Sequence, residues 1–92
     1  MNLIRPVRKQ GITGKDIGGE TLLYDMEGDA IHALNPTAQL IWELCDGVHS
    51  IEDMELSIRD HFSVDDTQDV SGDIRRILEV FAEKNLLQDL TR

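Results

Sequence analysis

The sequence predicts an α+β domain in which a three-stranded antiparallel sheet is followed by three helices. Two observations carry this. The first third, "GITGKDIGGETLLYDMEGDAIHAL", is rich in β-formers and in glycine, with one glycine pair and other turn residues breaking it. The remainder falls into three segments with apolar residues at helical spacing, each opened or closed by a capping residue. Strands first and helices after is the signature of a sheet with its helices segregated to one side.

Residues 20–25 (ETLLYD) and 30–34 (AIHAL) read as strands joined through Met-Glu-Gly-Asp, a short glycine-bearing hairpin connection. Residues 11–17 supply a weaker strand closed by Gly18-Gly19, which completes a meander. Asn35 then offers a side-chain oxygen to a first-turn amide, and Pro36 at the next position gives up no useful donor. Ala38, Ile41, Trp42 and Cys45 form the apolar face of this first helix, which Asp46-Gly47 is expected to end. Ser50 is suited to cap a second helix, with Asp53 three residues on and Ile51, Met54, Ile58 and Phe62 along one stripe. Polar "SVDDTQD" interrupts the pattern. A third helix over roughly 67–84 places Val70, Ile74, Ile77, Leu78 and Phe81 on its core face, with Asn85 at its end. Two helices and a glycine turn beside a β-hairpin make the architecture winged-helix-like, with the helices as a three-helix bundle.

Ninety-two residues suffice for one core, so 1–92 is read as a single domain, with 1–10 as a flexible basic arm. There is no apolar run long enough to span a bilayer and no signal-peptide core at the start. A lone cysteine agrees with a reducing cytoplasm. Net charge is −9, unevenly spread. Arg5, Arg8, Lys9 and Lys15 make the first fifteen residues +4, whereas residues 47–92 carry eleven acids against five bases. A duplex-binding protein needs a basic face to displace counterions, and this surface has mostly the wrong sign.

Catalytic chemistry finds no support in the residue pattern. Cys45 lies on an apolar helix face, where cysteine behaves as a small hydrophobe. His32, His49 and His61 show no metal-ligand spacing, so no metal is expected. "DMEGD" lacks the later ligands of a calcium loop, and Gly18-Gly19 lacks the residues of a phosphate loop. The acids are scattered with no evident acid–base pair. No catalytic residue and no cofactor are therefore expected.

Two less usual features remain. On the third helix, Asp73, Arg76, Ile77, Val80 and Lys84 make a second stripe beside the core face, apolar in the middle and charged at its ends. Such a stripe suits either a wide core face or the wall of a peptide-receiving groove. The strand Ala30, Ile31, His32, Ala33, Leu34 is the last before the helices, which leaves it at a sheet edge. It carries no Lys, Pro or bulge to blunt that edge. An unguarded edge is either covered by the protein's own arm or by a second copy, or kept for an incoming strand.

The segments "HALNPTAQLIWELCDG", "SIEDMELSIRDHF" and "DVSGDIRRILEVFAEKNLL" resemble the pyrroloquinoline-quinone biosynthesis protein D (PqqD) family. The resemblance spans about residues 20–88, with Leu34-Asn35 to Gly47 its most specific part. It implies a non-catalytic recognition element for ribosomally made, post-translationally modified peptides. Such a protein binds the leader of a precursor peptide as an added strand and presents the core to a modifying enzyme, often a radical S-adenosylmethionine protein. Carried over by position, the binding residues would be Ala30, Ile31, His32, Ala33 and Leu34 on the edge and Asp73, Arg76, Ile77 and Val80 on the helix. The implied partners are a leader peptide and a modifying enzyme, with no nucleic acid and no membrane, for a monomer or homodimer in the cytoplasm. Two rival readings come from the residues. One is a winged-helix nucleic-acid binder using the Arg5–Lys15 arm; the other is a structural adaptor or homodimer using the strand edge and an exposed Leu56.

Overall fold

The computed structural model describes residues 5–62 and 67–88. Strands β1 (Ile12–Ile17), β2 (Glu20–Asp25) and β3 (Ala30–Leu34) precede helices α1 (Pro36–Glu43), α2 (Ile51–His61) and α3 (Val70–Glu83). The sheet is antiparallel in the order β1-β2-β3, as the meander reading requires. Gly18 and Gly19, at φ +55° and +88°, make the two-residue turn between β1 and β2, a conformation that other residues reach only with strain. The second turn is organised by Asp25, whose carboxylate accepts the Glu27 and Gly28 amides at 3.1 and 3.2 Å.

Each helix begins where a side chain replaces the missing intrahelical acceptor. Asn35 accepts from the Ala38 amide at 2.8 Å, with Pro36 at the first helical position. Ser50 and Asp53 form a reciprocal capping box. Helix α3 starts later than its periodicity suggests, at Val70, because the Asp69 carboxylate takes the Gly72 amide at 3.1 Å. A Cβ at residue 72 would meet the free Asp69 carboxylate oxygen, which would have to turn aside to admit one. At the other end Asn85 adopts φ +60°, and the Asn85 and Leu86 amides bond back to Ala82 and Phe81. This is the left-handed cap that folds Leu86 under the helix.

Helix α1 ends at Glu43, short of Asp46-Gly47, and the cause lies far away in sequence. Residues 6–9, expected as part of a flexible arm, run along the ends of two helices instead. The Arg8 amide bonds to the Cys45 carbonyl at 2.8 Å, and the Gly47 amide to Pro6 at 3.0 Å. On the far side the Lys9 amide bonds to Leu86, and the Gln88 amide to Val7. The Arg8 guanidinium donates to the Trp42 carbonyl at 3.1 Å, beside the Cys45 amide that this carbonyl also accepts, and to the Glu43 carbonyl at 2.7 Å. Lys9 pairs with Asp25 at 3.8 Å and with Glu27 at 3.5 Å. The first four residues of that arm, and 63–66 of the polar break, lie outside the described residues.

The core collects Leu23 and Leu34 from the sheet, Ala38, Ile41 and Trp42 from α1, and Cys45 just after it. Ile51, Met54 and Ile58 come from α2, and Val70, Ile74, Leu78 and Phe81 from α3. Trp42 and Phe81 meet edge to face at 5.6 Å, locking α1 to α3. Among the described residues no helix is long and apolar enough to cross a membrane.

Three outcomes test these contacts. Replacing Arg8 with Met leaves two helix-end carbonyls without their charged donor, and should lower unfolding stability in urea by about 1–3 kcal/mol. Thr21 is buried, and its hydroxyl oxygen has no hydrogen-bond partner among the described residues. Thr21→Val should therefore raise the melting temperature, by a stability gain of about 1 kcal/mol. The amide of Val48, then the His49 ring and amide, hold the Asp46 carboxyl down to about 2 from an ordinary 3.8. A depressed folded pKa stabilises above the unfolded value and is lost as pH falls through the folded one. Stability should thus decline more gently between about pH 4 and about pH 2 in Asp46→Asn than in the parent. An unchanged slope would remove this account.

Candidate functional site

Strand β3 pairs with β2 on one side only, and among the described residues no other segment hydrogen-bonds its backbone. In an antiparallel ladder, roughly half the backbone N–H and C=O groups of an edge strand point away from its neighbour. The open edge of β3 therefore offers a row of donors and acceptors. It faces α3 across a groove of about 620 Å³.

The groove brings together eight of the nine residues expected to bind peptide. Ile31, His32, Ala33 and Leu34 line it from the strand, and Asp73, Arg76, Ile77 and Val80 line it from the helix. Ala30 stands apart: it opens the strand opposite Asp25 and lies outside the lining. Register explains how the strand residues divide. His32 pairs with buried Leu23 and Leu34 with buried Thr21, which puts both on the core-facing side of the sheet. Ile31 pairs with Tyr24 on the outer face, and 67% of its surface is exposed.

Several groove residues escaped the sequence reading. Phe81, Leu86 and Ala38 form its floor while also belonging to the core, and periodicity alone does not separate those two roles. Asn35, Thr37 and Gln68 lie at the rim, and Lys84 closes the second stripe of α3 at its C-terminal end. Lys84 is the exception among these, since the helical spacing of the second stripe already includes it.

The groove is apolar at its floor and charged along its lip. Val80 is 43% exposed, unusual for an aliphatic residue with core on either side of it, and Ile77 is half-buried. Asp73 is held from two directions: Gln68 Nε2 donates to one carboxylate oxygen at 3.0 Å, and the Arg76 guanidinium to the other. Lys84 has no ion-pair partner among the described residues, so the far end of the lip keeps a free positive charge in an acidic chain.

The other candidate groups are arranged for structure. Burial pushes the Cys45 thiol up to about 12 despite nearby Arg8, and its Sγ donates to the Ile41 carbonyl. Near neutral pH it supplies no thiolate. The three histidines are separate: His32 is in the groove, His49 bonds Asp46, and His61 meets the Ser57 carbonyl. Among the described residues no group of three or more His, Cys, Asp or Glu is placed to hold a metal ion.

The model of the family described as Coenzyme PQQ synthesis protein D (PqqD) matches residues 20–87. Among curated proteins no relative is found. Two solved structures are similar to this chain. The first, TbiB1 in complex with the TbiA(beta) leader peptide, superposes with a TM-score of 0.77 at 23% identity, covering 94% of this chain and 99% of the other. The second, lasso peptide synthetase B1 complexed with the leader peptide, gives 0.76 at 24% identity, covering 92% and 99%. At these identities the likeness establishes the fold: a three-stranded antiparallel sheet followed by three helices.

Proposed function

This chain belongs to the PqqD family, and we propose that it is a non-catalytic chaperone for the leader of a ribosomally made precursor peptide. The leader adds to β3 as a fourth strand, lies against α3, and is handed to a modifying enzyme, often a radical S-adenosylmethionine protein, in the cytoplasm. The observation that carries this reading is the open β3 edge facing an apolar-floored groove. Both similar solved structures were obtained with a leader peptide bound, which supports the same use of the fold here.

Magnitudes say what the groove must supply. Ordering a flexible peptide costs about 1–2 kcal/mol per residue, hence roughly 5–10 kcal/mol for a segment matching the five residues of β3. Backbone hydrogen bonds return about 1 kcal/mol each and leave a deficit. Burying about 300 Å² of apolar surface in all, most of it the peptide's own against Ile77 and Val80, supplies about 7 kcal/mol at 25 cal/mol per Å². Affinity therefore rests on apolar anchors, while the backbone sets direction and register. Charge disfavours the nucleic-acid alternative, because Arg8 and Lys9 already serve the fold.

Titrating ¹⁵N-labelled protein with the leader of the precursor encoded beside its gene should shift amides in 30–34 and along α3. Shifts that avoid both segments would sink the assignment. Val80→Asp places a charge at the middle of the apolar wall, and should weaken leader binding at least tenfold while the melting temperature moves by only a few degrees. Unchanged affinity in this variant would remove the groove from the argument.

A further inference from the structure

The face of the sheet that turns away from the helices is divided unevenly. Thr21, Leu23 and Asp25 point into the core, so Leu22 and Tyr24 of β2 point outward, together with their partners across both ladders. On the β1 side those partners are polar: Lys15 faces Leu22, and Thr13 faces Tyr24. On the β3 side they are apolar, with Ala33 facing Leu22 and Ile31 facing Tyr24. Leu22, Tyr24, Ile31 and Ala33 thus form a block beside the open edge, all exposed except half-buried Leu22. An antiparallel sheet with one wet face ordinarily keeps that face polar. Tyr24 is fixed within the block: its hydroxyl donates to Asp29 Oδ1 at 2.9 Å, across a turn in which Asp29 takes φ +50°. A partner can therefore cover the ring, which is 41% exposed, without stranding its hydroxyl.

We propose that this block and the outward side chains of a leader strand on β3 form one composite surface, on which the modifying enzyme docks. The proposal rests on the proposed use of the groove and names what reads the loaded state. Position points that way first. A fourth strand on β3 turns alternate side chains to the outer face, and so extends its apolar half and not its polar half. Area selects the occupant. Four residues project roughly 130 Å² at about 4.8 Å between strands and about 6.6 Å between successive side chains on one face, far below the about 800 Å² per partner of a stable complex. The block alone therefore holds neither a second copy nor an enzyme. An enzyme gains the missing area from the peptide, whose core it must also take into its active site, whereas a second copy offers that core nothing. The result is coupling: the enzyme binds the loaded chain more tightly than the empty one, and raises leader affinity by the same factor.

The probes are the leader and the modifying enzyme encoded beside the gene. Calorimetry measures enzyme binding to the chain with and without leader, and leader binding with and without enzyme. Leader should tighten enzyme binding at least tenfold, and enzyme should tighten leader binding equally. Leu22→Lys, on a strand that does not line the groove, should keep leader affinity within twofold and cost the enzyme at least tenfold on the loaded chain. Lysine placed at successive leader positions needs no change in the protein. Alternate positions should weaken binding to the chain, and those between should spare it and weaken the enzyme instead. If the enzyme binds empty and loaded chains alike, or Leu22→Lys costs it nothing, the composite surface is refuted while leader binding stands. If the loaded chain by itself sediments as a dimer that Leu22→Lys dissolves, a second copy takes the face and the proposal is wrong. If the leader ignores Val80→Asp, the groove reading itself falls, and the composite surface with it.

Discussion

The edge-to-face contact of Phe81 with Trp42 is the interaction on which the rest of the molecule turns. It sets how closely α3 approaches α1, and through α1 how α3 stands to the sheet, since Asn35 begins α1 directly after β3. Phe81 also receives the Leu86 amide on its carbonyl, so the same residue ends the helix and draws Leu86 beneath it. A groove needs two walls held apart by a floor that does not yield. Here the floor is the core itself, with Phe81, Ala38 and Leu86 belonging to both. Binding surface and stability are therefore coupled: a change in the floor alters both, whereas Val80 and Lys84 lie far enough out to change one without the other.

The basic N-terminal segment plays an unexpected part in this arrangement. Read from the sequence as a flexible basic arm, it is tied down by its charges: Arg8 completes the end of α1 and Lys9 neutralises carboxylates at the hairpin turn. Both are internal uses of charge in a chain of net −9. Among the described residues that line the groove, the positive charge without an ion-pair partner is Lys84. An extended peptide with a carboxylate toward that end and apolar groups toward Ile77 would match the field it enters.

Much of the fold was legible in the residues. Asn35-Pro36, Ser50 with Asp53, Gly18-Gly19 and Asn85 each act through local chemistry, so neighbours within a few positions suffice to read them. The strand edge and the second stripe of α3 were legible for a similar reason, since both follow from periodicity and order along the chain. What escaped depends on distant partners. The early end of α1 is set by Arg8, and the docking of residues 6–9 by backbone groups near Cys45 and Leu86. The later start of α3 turns on one carboxylate, that of Asp69. The helical stripe could not show that Phe81 and Ala38 face two ways. Nor could it show that Ala30 misses the groove, because strand position does not reveal where the opposing helix begins.

The separation in sequence between the two walls has a consequence for synthesis. β3 emerges from the ribosome well before Val80, and translation at about 5–20 residues per second leaves roughly a few seconds between them. During that interval the meander has its open edge and exposed Ile31 but no helix opposite. The strand is then at its most vulnerable to misassociation with other nascent chains, and it cannot yet discriminate among segments that pair with it. The groove exists only once α3 has packed, and until then the edge stands without its second wall.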